Sequence, residues 1–196
     1  MTSLDVKGAF DAAWWLAILQ GLRDAKCPKN LYILTQDYFR ERRAVISLNN
    51  STIERNITKG FPQGSCCGPA FWNLQYNSIL TLKYTNHTKT VAFADDLIIM
   101  TKADSIREAE NIVNVELSKI SAWAANNKIR FNEHKSKTML LTRRKRKERK
   151  EIEIYLNNKP LNQVNSMMYL GMIFDSKLTF REHVNRKMHQ INICTT

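Results

Sequence analysis

Residues 90–100 read TVAFADDLIIM: two adjacent aspartates inside an otherwise apolar run. On a regular strand, neighbouring side chains point to opposite faces, so one of the two carboxylates would enter the core. Burying an unpaired carboxylate is costly. The conflict disappears if Asp95 and Asp96 form the turn of a hairpin whose arms are residues 91–94 and 97–100. Taken alone, the pair needs no more than a polar turn, where aspartate is common. Asp5, however, ends another short strand candidate at residues 2–6 and stands beside the hairpin tip if the two strands are sheet neighbours. Carboxylates about 4 Å apart repel by about 4 kcal/mol at an effective dielectric of 20. A cluster of this kind favours a divalent cation, and oxygen-only ligands suit Mg²⁺ or Mn²⁺ rather than zinc. Two such ions about 3.5–4 Å apart can activate an attacking hydroxyl and stabilise a leaving pyrophosphate.

With 196 residues, 43% of them hydrophobic, the chain can build a core without disulfides or metal. No run approaches the roughly 20 apolar residues of a membrane span, and Asp5 and Lys7 interrupt any signal-peptide pattern. Cys27, Cys66, Cys67 and Cys194 form no CxxC pair, which argues against zinc and suits a reducing, intracellular compartment. The net charge of +12 points to a polyanionic partner. Residues 143–150, RRKRKERK, supply half of that surplus. The run is a solvated hairpin tip, a nucleic-acid contact through Arg143, Arg144, Lys145, Arg146 and Lys147, or a nuclear import signal.

Hydrophobic spacing predicts helices over residues 10–23, 31–40, 69–82, 105–125 and 180–193. In the second, Leu31, Leu34 and Tyr38 share one side; the fourth opens on a Ser105/Glu108 capping box. Strands are expected at residues 44–48 and 52–57 as a hairpin, at 136–141 and 151–156 around the basic run, and at 167–174. Trp14 and Trp72 read as core rather than as stacking platforms, and the four histidines as surface residues. Alternating strands and helices with hairpins give a mixed α/β (α+β) fold.

Five segments in order resemble the reverse transcriptases. Residues 4–11, LDVKGAFD, resemble motif A; residues 60–65, GFPQGS, motif B; residues 93–96, FADD, motif C. Residues 132–136, NEHKS, are similar to motif D, and Tyr169-Leu170-Gly171 to the motif E turn, the primer grip. The FADD form and the tail YLGMIFDSKLTFREHV are most similar to non-LTR, LINE-type retrotransposons. The resemblance implies a polymerase palm: a mixed, mostly antiparallel sheet with helices on one face. It implies RNA-directed DNA polymerase activity, with an RNA template, a DNA primer and a dNTP as partners and two Mg²⁺ ions, or Mn²⁺, as cofactors. The expected division is a palm over residues 1–175 and the start of a thumb helix over 176–196, with the fingers missing. The expected site of action is the nucleus rather than the cytoplasm, with no membrane.

The resemblance also assigns roles. Asp5 and Asp95 would ligate both ions, Asp96 would support or weakly ligate, and the Val6 carbonyl would complete one shell. Phe10 holds the steric-gate position that excludes a ribose 2′-hydroxyl. Gln63 would touch the dNTP, with Pro62 and Gly64 shaping its loop, and Lys135 matches the proposed general acid for pyrophosphate. Each has a plain alternative: a core aromatic for Phe10, an ordinary turn for Pro62-Gln63-Gly64, a solvated base for Lys135. For the whole chain the alternatives are a non-catalytic nucleic-acid-binding remnant and an unrelated α/β hydrolase. The hydrolase is weakened by the lack of a Ser or His nucleophile setting.

Overall fold

In the computed structural model of the chain, residues 1–49, 51–142 and 151–194 are described. The basic run with Arg143, Arg144, Lys145, Arg146 and Lys147 lies outside the described residues.

A five-stranded sheet organises the molecule, in the order β4-β5-β1-β6-β9. Its strands are β1 (Thr2–Leu4), β4 (Thr88–Phe93), β5 (Asp96–Thr101), β6 (Lys137–Thr138) and β9 (Asn162–Gln163). All pairings are antiparallel except β6 with β9. Leu4, Leu97 and Ile99 are fully buried on the face that meets α4 (Gly68–Tyr76) and α5 (Ile106–Asn126). Ile98 points the other way by alternation and is buried as well, as are Met139, Met167 and Ile173, all outside the main cluster. No helix among the described residues is long and apolar enough to cross a membrane.

The long helix α5 follows from its sequence. The Ser105 hydroxyl accepts from the Glu108 amide, and the Glu108 carboxylate accepts in return from the Asp104 amide. Val113, Leu117, Ile120 and Ala124 bury one stripe. Glu116 sits fully buried on that stripe, where its carboxylate accepts from the Thr85 amide (2.7 Å) and the Lys119 ammonium (2.8 Å). Burial alone would raise its pKa, but these hydrogen bonds outweigh it and hold the group below the ordinary glutamate range. At the other end Lys128 adopts φ +58, and the amides of Lys128 and Ile129 close onto Ala125 and Ala124.

Several expectations change. The helix expected over residues 10–23 is two, α1 (Ala9–Ala12) and α2 (Trp15–Asp24), because Ala13 and Trp14 are extended. The freed backbone groups have tertiary partners: the Ala13 carbonyl accepts from Gly60 (2.7 Å), and the Trp14 amide donates to buried Gln75 (2.9 Å). Trp14 is half-buried, whereas Trp72 is core. In α3 (Lys29–Phe39) the face carrying Leu31, Leu34 and Tyr38 turns outward, and only Phe39 is buried. The strand expected over 167–174 folds back on itself as β10 (Ser166–Tyr169) and β11 (Met172–Asp175), since Leu170 and Gly171 both take positive φ. Residues 136–141 and 151–156 pair only at β6 and at β7 (Tyr155–Leu156), which forms a small hairpin with β8 (Lys159–Pro160). The hairpin expected at 44–57 is present as β2 (Arg43–Leu48) and β3 (Ser51–Asn56). The final helix α6 spans Arg181–Cys194. Asp175 braces its approach by accepting from the Lys177 and Phe180 amides and the Thr179 hydroxyl.

Candidate active site

The β4–β5 hairpin turns on Ala94 and Asp95, so the tip is one residue earlier than the Asp95-Asp96 turn read from the sequence. Phe93 pairs with Asp96, which opens β5. Ala94 takes φ +51 at the first turn position, the sign that a type II′ turn requires. Alanine is a poor residue there, and helix α4 holds it. The Trp72 indole donates to the Ala94 carbonyl (2.8 Å), and the Tyr76 hydroxyl reaches the Asp95 carbonyl at 3.5 Å. Trp72 and Tyr76, one helical turn apart on the same face, stack with ring centroids 4.8 Å apart. Both tip carbonyls therefore point back to the helix.

β1 runs beside β5 with Leu4 opposite Leu97, which brings Asp5, the next residue, towards Asp96. Beyond β1 the chain pairs at Val6 with Phe131. There the Lys7 amide donates to Arg130 and the Asn132 amide to Asp5. This pattern turns the backbone of Val6 itself away from Phe131, so its carbonyl faces the hairpin side. Buried Ser136 accepts from the Asp5 amide (3.2 Å), and its own amide donates to the Asn132 carbonyl. The Asn132-to-Ser136 turn thus clamps Asp5 from behind.

The loop after β3 is fastened to α1. The Gly60 amide donates to Ala13, Phe61 to Phe10, and the Trp15 indole donates to the Gly60 carbonyl. Gly60 has φ +79, and a Cβ there would lie 2.9 Å from the Asp11 carbonyl oxygen, so conformation and space both demand glycine. The Ser65 amide then donates to Pro62, with Gly64 at φ +84, the arrangement of a type II turn.

These connections bring Asp5, Val6, Phe10, Gln63, Asp95 and Lys135 around one cleft of about 370 Å³. The ring of Phe10 is 5.1 Å from Phe61 and 6.3 Å from Trp72, which fixes its orientation at the cleft wall. Pro62 and Gly64 flank Gln63 on the exposed turn and do not line the cleft. Asp96 is half-buried behind the tip and does not line it either. Burial first, then the charges of Asp95 and Asp5, push its carboxyl above the ordinary aspartate range. Tyr169 lies within the field of Asp96; burial, then that charge, raises its pKa. Its hydroxyl is enclosed and has no hydrogen-bond partner among the described residues. Leu170 and Gly171 form the exposed turn beyond it.

Among the described residues no three Asp, Glu, His or Cys side chains gather into a group that could hold a metal ion by themselves. The donors that Asp5, Val6 and Asp95 bring to the cleft lining are all oxygens, and behind them burial first, then the charges of Asp95 and Asp5, keeps the Asp96 carboxyl raised. The residues fit a hard divalent ion. The sequence reading missed Trp72, Tyr76 and Ser136, which position the acids without carrying charge. The only advance signal was the i, i+4 aromatic pair on a helix opened by Pro69.

A family model described as reverse transcriptase (RNA-dependent DNA polymerase) matches residues 1–174. A 115 kDa protein in the type-1 retrotransposable element R1DM of Drosophila melanogaster is 31% identical over 183 residues, covering 93% of this chain and 17% of that protein. The RNA-directed DNA polymerase from the mobile element jockey of the same species is 28% identical over 190 residues, covering 92% and 20%. The chain thus spans about a fifth of the length of these relatives. Apo telomerase of Candida tropicalis, truncated from its C-terminal domain, superposes with a TM-score of 0.61 at 14% identity, over 91% of this chain and 34% of that one. That likeness identifies the fold as a polymerase palm. With one family model matching nearly the whole chain, on that fold, the chain belongs to the reverse transcriptase (RNA-dependent DNA polymerase) family.

Proposed function

We propose that the chain is the palm of an RNA-directed DNA polymerase of a non-LTR retrotransposon, transferring a nucleotide from a dNTP to a primer 3′-hydroxyl on an RNA template. The observation that carries this reading is the single cleft shared by Asp5, Asp95, Phe10, Gln63 and Lys135. The names of the relatives support it. The family match ends at residue 174 and α6 begins at Arg181, which supports a palm over residues 1–175 and the start of a thumb beyond it. A polymerase that writes an element into chromosomal DNA works in the nucleus.

Asp5, Asp95 and the Val6 carbonyl would hold divalent cations, Mg²⁺ or Mn²⁺, with Asp96 in support. When bound, such ions activate a hydroxyl nucleophile and stabilise a leaving pyrophosphate. The chain's own side chains do the rest. Phe10, braced by Phe61 and Trp72, presents a ring where a ribose 2′-hydroxyl would clash. Gln63, on its glycine-shaped turn, orients the dNTP. Lys135 holds a proton on Nζ at the cleft edge, ready for the departing pyrophosphate. The Tyr169-Leu170-Gly171 turn supports the primer strand. Holding both reactants in line accounts for much of the catalytic effect in such a site.

Primer extension on an RNA template with Mg²⁺ and dNTPs tests the proposal. Extension by the chain, joined to the neighbouring segments of its element, should vanish in Asp5→Asn and Asp95→Asn while both variants remain folded. Extension that survives both changes would overturn it.

A further inference from the structure

A second cleft, of about 1080 Å³, lies on the other side of the segment that carries Asp5. No residue lines both clefts: Asp5, Val6, Gly8, Ala9 and Phe10 face the first, whereas Lys7, Ala12 and Trp14 face the second. Lys59, Lys128 and Arg130 complete its basic rim. The backbone places these bases together, because the Lys7 amide donates to the Arg130 carbonyl (2.8 Å) and sets the two residues on adjoining strands. The Lys128 ammonium stands 5.8 Å from the centroid of the Trp14 ring. That lysine occupies a positive-φ helix end that glycine or asparagine fills at lower conformational cost. None of the four bases is in an ion pair among the described residues. The one acid on the lining, Glu133, is already engaged: it accepts from Asn157 (3.1 Å) and lies 4.0 Å from the Lys159 ammonium. The cleft is therefore a concave surface with four positive charges outside any ion pair among the described residues, one of them over a half-buried indole.

We propose that this cleft is a second, non-catalytic nucleotide-binding site, which stacks a base on Trp14 and takes phosphates among Lys7, Lys59, Lys128 and Arg130. An aromatic face with neighbouring bases is the chemistry that holds single-stranded nucleic acid without sequence preference. A volume at the top of the small-ligand range, roughly 300–1,000 Å³, suits either one free nucleoside triphosphate or a short stretch of strand. Binding here needs no catalysis, so it stands or falls apart from the Asp5–Asp95 cleft.

Anisotropy titrations of a fluorescein-labelled oligothymidylate across a salt series test the site. Lys128→Gly removes one charge and relieves the backbone, so affinity should fall about threefold or more while the melting temperature holds or rises. Lys59→Ala with Lys128→Gly should flatten the plot of log K against log salt by about 1.4, at about 0.7 per phosphate on a single strand. Trp14→Leu should weaken binding at least about fivefold. Lys29→Ala with Lys89→Ala removes the same charge from exposed positions outside the cleft and should change affinity by less than about twofold. Titration of the same variants with dTTP separates the sources. Weakening confined to the oligonucleotide assigns a strand site, and weakening of both assigns a nucleotide-sized one. If the cleft variants bind as tightly as the wild type, or no more weakly than the Lys29/Lys89 control, the proposal is wrong.

Discussion

Two hairpins of equal strand length meet opposite fates in this chain. In β4–β5 and β2–β3 alike, six residues face six in antiparallel register. Both have strands of ordinary β propensity. Yet Leu97 and Ile99 are 0% and 1% exposed, while Ile46 and Leu48 are 68% and 73% exposed. The difference lies in the neighbours. β5 gains a third strand, β1, and is backed by α4 and α5, whereas β2–β3 remains a two-stranded ribbon. Such a ribbon is marginal by itself in water. Local terms hold it: the Arg43–Glu54 ion pair at 3.1 Å and the Ser47–Thr52 hydroxyl contact at 3.2 Å. The hairpin that carries Asp95 and Asp96 is instead held by tertiary bonds to its tip from Trp72 and Tyr76. The buried strands and the bonds to the tip give the carboxylates of Asp95 and Asp96 a fixed support.

The contrast can be broken most severely at Trp72. Trp72→Ala should cost about 4 kcal/mol, from lost burial, the cavity left behind and an orphaned Ala94 carbonyl. Urea unfolding measures it, and a loss below about 1 kcal/mol would mean that the tip is held without the indole. Glu116→Gln should come next, at about 2 kcal/mol near neutral pH, because a buried carboxylate with charged and amide donors is replaced by a weaker acceptor. The sign of its pH dependence is fixed. A carboxyl held below its ordinary value of 4.5 contributes stability above that pH and loses it as pH falls through the folded value. The gap between wild type and variant should therefore close in acid; a gap that stays constant down to unfolding would rule out the ionised carboxylate as its source. The smallest effect belongs to the ribbon. Ile46→Ser should change stability by no more than about 0.5 kcal/mol, and a melting shift worth about 2 kcal/mol would show that the ribbon is packed after all.

The sequence displayed what depends on short-range chemistry. The paired acids forced a turn, Ser105 and Glu108 fixed a helix start, and the spacing of Val113, Leu117, Ile120 and Ala124 disclosed its buried stripe. It hid what depends on partners distant along the chain. Nothing local shows that Ala13 and Trp14 leave the helix, because their backbone groups are claimed by Gly60 and Gln75. Nothing in the pattern of Leu31, Leu34 and Tyr38 distinguishes an apolar face that is covered from one that is not. Of the residues around the cleft, Asp5, Asp95, Phe10, Gln63 and Lys135 stood out in the sequence as motif residues. The clamp of Ser136 on the Asp5 amide and the grip of Trp72 on the tip were not, since a hydroxyl and an indole carry no positional signature of their own.

The claim on which the rest depends is that Asp5 and Asp95 together form the cation-binding edge of the catalytic cleft. Titration with Mn²⁺, following the free ion by electron paramagnetic resonance, addresses it without requiring turnover. Binding is expected to weaken by at least about tenfold in Asp5→Asn and in Asp95→Asn. It should be unchanged in Asp11→Asn, whose exposed carboxylate lies in α1 and does not line the cleft. Mn²⁺ binding that persists in both cleft variants, or that disappears only with Asp11, would contradict it.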